Sequence, residues 1–107
     1  MKRGSVVIAA QRGDFTGKPR PWLVIQRGAF LLEGGTVTVC MISAGTKGSE
    51  FRVAVSPSVT NGLEAPSIVQ ADRVATIRWN AIDRVIGELD RTSMDQLDEA
   101  LRLWLDL

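Results

Sequence analysis

The sequence contains no histidine and a single cysteine, and these two shortages exclude a great deal of chemistry. Without histidine there is no Ser-His-Asp or Cys-His nucleophile system, no His-ligated zinc and no histidine-pair ribonuclease mechanism. Any catalysis falls to arginine, lysine, carboxylates or hydroxyls. The lone thiol, Cys40, cannot close an internal disulfide, and its place in the apolar run Thr36-Val-Thr-Val-Cys-Met-Ile42 reads as a buried structural residue. No metal framework can be built on it, and neither a metal nor another cofactor is expected. Long hydrophobic runs are missing as well. No stretch approaches the roughly 20 apolar residues that span a bilayer, and after Lys2 and Arg3 only a short apolar run precedes Gln11, unlike a signal peptide. A cytoplasmic protein with no membrane contact is expected.

What is present is ordinary globular composition, 45% hydrophobic and 23% charged over 107 residues. That length fits one domain over residues 1–107 and leaves no room for a two-lobed dinucleotide enzyme. At this size roughly two thirds of the unfolded chain's surface can be buried, so pairing with a second copy would add stability. The net charge of +1 hides an uneven distribution. Residues 1–54 carry eight basic side chains against Asp14, Glu33 and Glu50, whereas residues 55–107 carry five basic against nine acidic. The first half is therefore suited to a polyanion and the second is not.

The first two thirds of the chain read as short strands separated by turn residues. Ser5 to Ala10 and Pro21 to Gln26 are apolar and β-branched, and the polar, glycine-bearing stretch from Gln11 to Lys18 lies between them. Thr36 to Ile42 follows the Gly34-Gly35 turn, and Phe51 to Val55 follows a second polar loop, Ala44 to Ser49. Ser67 to Val69, Arg73 to Trp79 and Arg84 to Gly87 are three further short strands. So many short strands point to a mainly β (α+β) chain built as a closed or nearly closed barrel. At the end the period changes: Met94, Leu97, Leu101 and Trp104, joined by Ala100, Leu105 and Leu107, form a helical stripe that reads as core. Ser93 and Gln96 have the form of a capping box, which starts a C-terminal α-helix at Met94. The acidic residues of this region read as a solvated helix face.

Four segments, in order and spacing, carry a resemblance to a known family. They are Lys2-Arg-Gly-Ser-Val-Val7, Gly17-Lys-Pro-Arg-Pro-Trp-Leu-Val-Ile-Gln26, Val39-Cys-Met-Ile-Ser43 and Gln70-Ala-Asp-Arg-Val-Ala-Thr-Ile77. Together they resemble the MazF/PemK family of toxin endoribonucleases over nearly the whole chain. The resemblance implies a small SH3-like β-barrel with a C-terminal α-helix, a homodimer, metal-independent cleavage of single-stranded RNA, and neutralisation by a cognate antitoxin. It places the catalytic pair on Arg20, the arginine before the proline, and Ser43, the hydroxyl closing the next strand. The chain departs from the pattern at Phe15, where many relatives carry glutamate, and at Pro19, where some carry histidine.

Charge and donor type support the same chemistry independently. Metal-free RNA cleavage uses the neighbouring 2′-hydroxyl as nucleophile and needs charge neutralisation on the phosphorane plus proton transfer at both oxygens. Arg20 supplies a fork that matches two phosphate oxygens and stays charged, but it is a poor base. Ser43 can donate a hydrogen bond to the leaving 5′ oxygen or to a non-bridging oxygen. Asp14, the only carboxylate in the Gln11 to Arg20 loop, is the local candidate to take the 2′ proton, and it reads equally as a turn residue. Arg12 and Lys18 in this loop, with Thr46 and Lys47 in the second, would line a groove for phosphates. Phe15 could stack an unpaired base or anchor its loop. Trp22 and Trp79 read as core or dimer contacts. Two rivals remain at this stage. One is a gyrase-poisoning toxin of the CcdB kind, which the ending Leu103-Trp-Leu-Asp-Leu107 resembles superficially, and the other is an RNA-binding barrel whose catalysis has decayed.

Overall fold

Alternation of apolar side chains across a pleated strand gives each strand two faces, and here both faces are buried over much of the sheet. The computed structural model describes residues 1–10 and 18–107. Six strands, β1 (Ser5–Ala9), β2 (Arg20–Val24), β3 (Thr36–Ala44), β4 (Arg52–Val55), β5 (Ser67–Arg78) and β6 (Ile82–Glu88), are followed by the helix α1 (Arg91–Leu105). All neighbours pair antiparallel, in the order β4-β5-β3-β2-β1-β6. The edges β4 and β6 are not joined to each other, so the barrel-like sheet is open along that seam.

The register distributes the core. Val6 pairs with Leu23 and Leu23 with Cys40, and this row packs beneath Met94, Leu97, Ala100 and Leu101 of α1. Val7 pairs with Trp22 and Trp22 with Met41, and this row belongs to a second cluster with Val24, Val37, Val39 and Ile77, flanked by Trp79 and Ile82. The Trp22 indole N–H, which would be costly to bury unpaired, donates to the Ala9 carbonyl at 3.1 Å. Cys40 is fully buried, and its loss of water pushes the thiol up to about 12, so it remains a protonated packing group.

Three expectations need correction. The segments Ser67 to Val69 and Arg73 to Trp79 are one strand, β5, with an internal bulge. Met41 pairs with Gln70 and Cys40 with Val74, which leaves Ala71, Asp72 and Arg73 without partners on β3. The helix starts at Arg91, three residues before Met94, because the Asp90 side chain accepts from the Ser93 N–H at 3.1 Å and so caps the first turn; Ser93 is inside the helix. The apolar stripe also stops contributing to the core after Leu101. Trp104 and Leu105 are each half exposed and Leu107 more so, and Trp104 rests its ring 5.2 Å from that of Phe51.

Gly62 and Gly87 are required where the 56–66 connection crosses β6. Gly62 has φ +69°, and a Cβ there would collide with the Ile86 carbonyl oxygen; a Cβ on Gly87 would collide with that of Thr60. The closeness allows the Glu88 N–H to reach the Thr60 carbonyl at 2.9 Å.

Candidate active site

Antiparallel pairing gathers one set of strand ends. The end of β1, the start of β2, the end of β3, the end of β4 and the start of β5 lie at the same end of the sheet, because Ala9 pairs with Arg20, Ala44 with Ser67 and Val55 with Ser67. Lys18 precedes β2, while Thr46 and Lys47 follow β3, all three exposed. Arg20 is the first residue of β2 and not a loop residue, and it is exposed. Ser43 is the next-to-last residue of β3 and half-buried.

These two side chains belong to one face. The β2–β3 register pairs Trp22 with Met41 and Leu23 with Cys40. The pairing ends there; by strand alternation Arg20 shares a face with Trp22 and Ser43 with Met41, so both fall on the face of the Trp22–Met41 row at the same end of the sheet.

The neighbouring strand adds two groups that sequence reasoning passed over. Gln70 of β5 pairs with Met41 on one side and Arg52 on the other, and its Nε2 donates to the Ser43 Oγ at 2.7 Å. Arg52 in turn is held by Asp72 in the β5 bulge. The bond from Arg52 holds the Asp72 carboxyl below the usual carboxylate range. Gln70 lies inside a segment the sequence already marked, but a glutamine in a strand carries no sign of its cross-strand partner. Phe30, in the 3-10 turn Gly28–Phe30, was also passed over; it is 66% exposed with the Arg27 guanidinium 5.8 Å from its ring centroid.

Charge is less divided than the sequence implies. Lys2 pairs with Glu88 at 2.8 Å and Arg3 with Asp98 at 2.6 Å, while Arg52 pairs with Asp72 at 2.9 Å, each joining the basic half to the acidic half. The acidic residues of the second half are thus partly engaged by the first. Among the described residues no group of three or more Cys, Asp or Glu side chains comes together as a metal site. No helix among them is long and apolar enough to cross a membrane. A cleft of 590 Å³ lined by Met1, Lys2, Ser5, Thr60, Val85 and Glu88 lies at the opposite end of β1 and β6, away from Arg20 and Ser43. Arg12, Asp14 and Phe15 lie outside the described residues.

Residues 2–105 match the family of PemK-like, MazF-like toxins of type II toxin-antitoxin systems. A probable endoribonuclease MazF of Mycolicibacterium smegmatis is 33% identical over 107 residues, which is 100% of this chain and 98% of that protein. The Mycobacterium tuberculosis toxin MazF-mt6 is 31% identical and superposes with a TM-score of 0.79 over 96% of this chain and 97% of that one. A mycobacterial endoribonuclease solved in complex with its cognate antitoxin shares the fold, with a TM-score of 0.83 at 23% identity over 100% of this chain and 96% of that one.

Proposed function

This chain belongs to the PemK-like, MazF-like toxin family of type II toxin-antitoxin systems, and on that premise we propose that it cleaves single-stranded RNA without a metal ion. The observation that supports the reading is that Arg20 and Ser43 fall, by strand alternation from the paired Trp22 and Met41, on one face toward one end of the sheet. In the reaction the 2′-hydroxyl oxygen attacks the adjacent phosphorus and the bond to the 5′ oxygen breaks. The products are a 2′,3′-cyclic phosphate and a free 5′-hydroxyl. Arg20 offers two N–H groups to the phosphorane oxygens, where negative charge accumulates. Ser43 donates a hydrogen bond to the leaving 5′ oxygen or to a non-bridging oxygen. Asp14 is the candidate to take the 2′ proton, and the departing 5′ oxygen takes a proton from water to become the free hydroxyl.

Substrate binding in this reading falls to Arg12, Lys18 and Lys47 on phosphates, Thr46 as a hydroxyl donor and Phe15 as a stacking platform. Residues 1–107 act as one toxin domain, in the cytoplasm, as a two-fold homodimer whose copies line a shared RNA groove, and a cognate antitoxin covers that groove.

The test is incubation of the purified protein with a long RNA in excess chelator, followed by determination of fragment ends. Fragments ending in cyclic phosphate with 5′-hydroxyl partners are expected. Activity that vanishes in chelator and returns with magnesium would replace this mechanism with a metal-dependent one. Intact RNA would return the chain to the gyrase-directed or decayed-barrel readings.

A further inference from the structure

We propose that Gln70 is a positioning residue for Ser43: its amide fixes the direction in which the Ser43 hydroxyl offers its proton to the scissile phosphate. The inference rests on the RNA-cleaving reading above and adds to it a residue that acts through the hydroxyl without touching the substrate.

Gln70 is 6% exposed, and its Nε2 donates to the Ser43 Oγ at 2.7 Å. A hydroxyl has one proton and two lone pairs, and an amide nitrogen can only donate. With one lone pair of Oγ taken by the amide, the Ser43 proton has to point away from Gln70. A serine rotor in water samples every direction; this one is restricted to an outward arc on the face it shares with Arg20. A proton held ready for a phosphate oxygen needs no reorientation when charge develops there, which is the advantage of a preorganised donor.

The backbone supports this assignment. Gln70 is the last β5 residue in register with β3 before the ladder breaks at Ala71–Arg73 and resumes at Val74. The bulge is anchored by the Ala71 N–H to the Phe51 carbonyl at 2.9 Å and by the ion pair of Asp72 with Arg52, the residue paired with Gln70 across β4. Bulges beside functional sites re-aim side chains. Here the break follows immediately after the amide that contacts the candidate donor.

The experiment is a double-mutant cycle on single-turnover RNA cleavage in chelator, using wild type, Gln70→Met, Ser43→Ala and the double variant, with Gln70→Glu beside them. Binding of an RNA carrying a 2′-deoxy position at the cleavage site is measured for each. Gln70→Met keeps length and volume but cannot donate, and a loss of about tenfold in rate is expected, smaller than the roughly 10²- to 10⁴-fold of a general acid or base itself because Gln70 acts through Ser43, with analogue affinity within about twofold. In the Ser43→Ala background the same change should cost less than about twofold, because the group it acts through is gone. Gln70→Glu should lose more than Gln70→Met, since a carboxylate only accepts and draws the Ser43 proton inward.

Equal losses from Gln70→Met in both backgrounds, or wild-type rates for it or for Gln70→Glu, would overturn the proposal. Melting curves identify any variant that fails to fold, and either Gln70 variant decides the question alone. If wild type leaves RNA intact, the cleavage reading fails and takes this role with it. If wild type cleaves and the cycle shows no coupling, only the role of Gln70 fails.

Discussion

Arg52 on β4 and Asp72 in the β5 bulge form a two-point ion pair, with the guanidinium Nε and Nη2 at 3.2 and 2.9 Å from the two carboxylate oxygens. The Asp72 side chain is only 11% exposed. The bond from Arg52 holds the Asp72 carboxyl below its ordinary value. A carboxyl lowered by folding stabilises the native state fully above its unfolded pKa of about 3.9, and that contribution is lost as pH falls through the lowered folded value. The melting temperature should therefore drop below about pH 4 in wild type, and more shallowly in Asp72→Asn. Thermal melts across the acid range check this, and parallel curves for the two proteins would remove Asp72 from the acid response.

Replacing Arg20 with alanine should abolish cleavage and leave the fold intact, because Arg20 is an exposed strand-end residue whose fork, in the proposed mechanism, supplies the main phosphate charge. Arg20→Lys should recover little, since a point charge cannot match two oxygens at once. The measurement is single-turnover cleavage alongside a melting curve; near wild-type cleavage by the alanine variant would exclude Arg20 from the mechanism.

At the helix start, Asp90→Ala removes the oxygen that accepts from the Ser93 N–H. A lost cap of this type costs about 1 kcal/mol. Ser93→Ala should cost less, because Ser93 lies within the first turn and is not the cap. Denaturant unfolding of both variants gives the comparison, and the reverse ranking would restore Ser93 as the capping residue.

Gly87→Ala introduces a Cβ that collides with the Thr60 carbonyl oxygen. Relief requires the 56–66 connection to move away from β6, and overpacking of this kind costs about 1–3 kcal/mol. At Gly28, by contrast, a Cβ meets nothing within 4 Å. Alanine there should be nearly neutral, so chemical denaturation of the two variants separates a steric requirement from a glycine that is merely present.

The strands were legible because their signal is local: β-branched runs bounded by glycine, proline and polar residues. The family was legible because its short segments, such as the Arg20-Pro21 strand start, are local as well. Local signals cannot state which strand lies beside which, or in what register. Gln70 joined the candidate site only because β5 lies beside β3 with Met41 opposite it, and Asp72 engages Arg52 because a bulge places it toward β4. The helix boundary shows the same limit: Asp90 and Ser93 are both good caps by residue type, and the three-dimensional path of the chain out of β6 selected Asp90. Trp104 fits the helical stripe by spacing, yet the tertiary packing leaves it half exposed. Residue types and their periodicity determined the repertoire of strands, the helix and the candidate phosphate-binding side chains in this protein. Strand register and packing, which depend on pairings between residues distant in the chain, determined which of those groups meet.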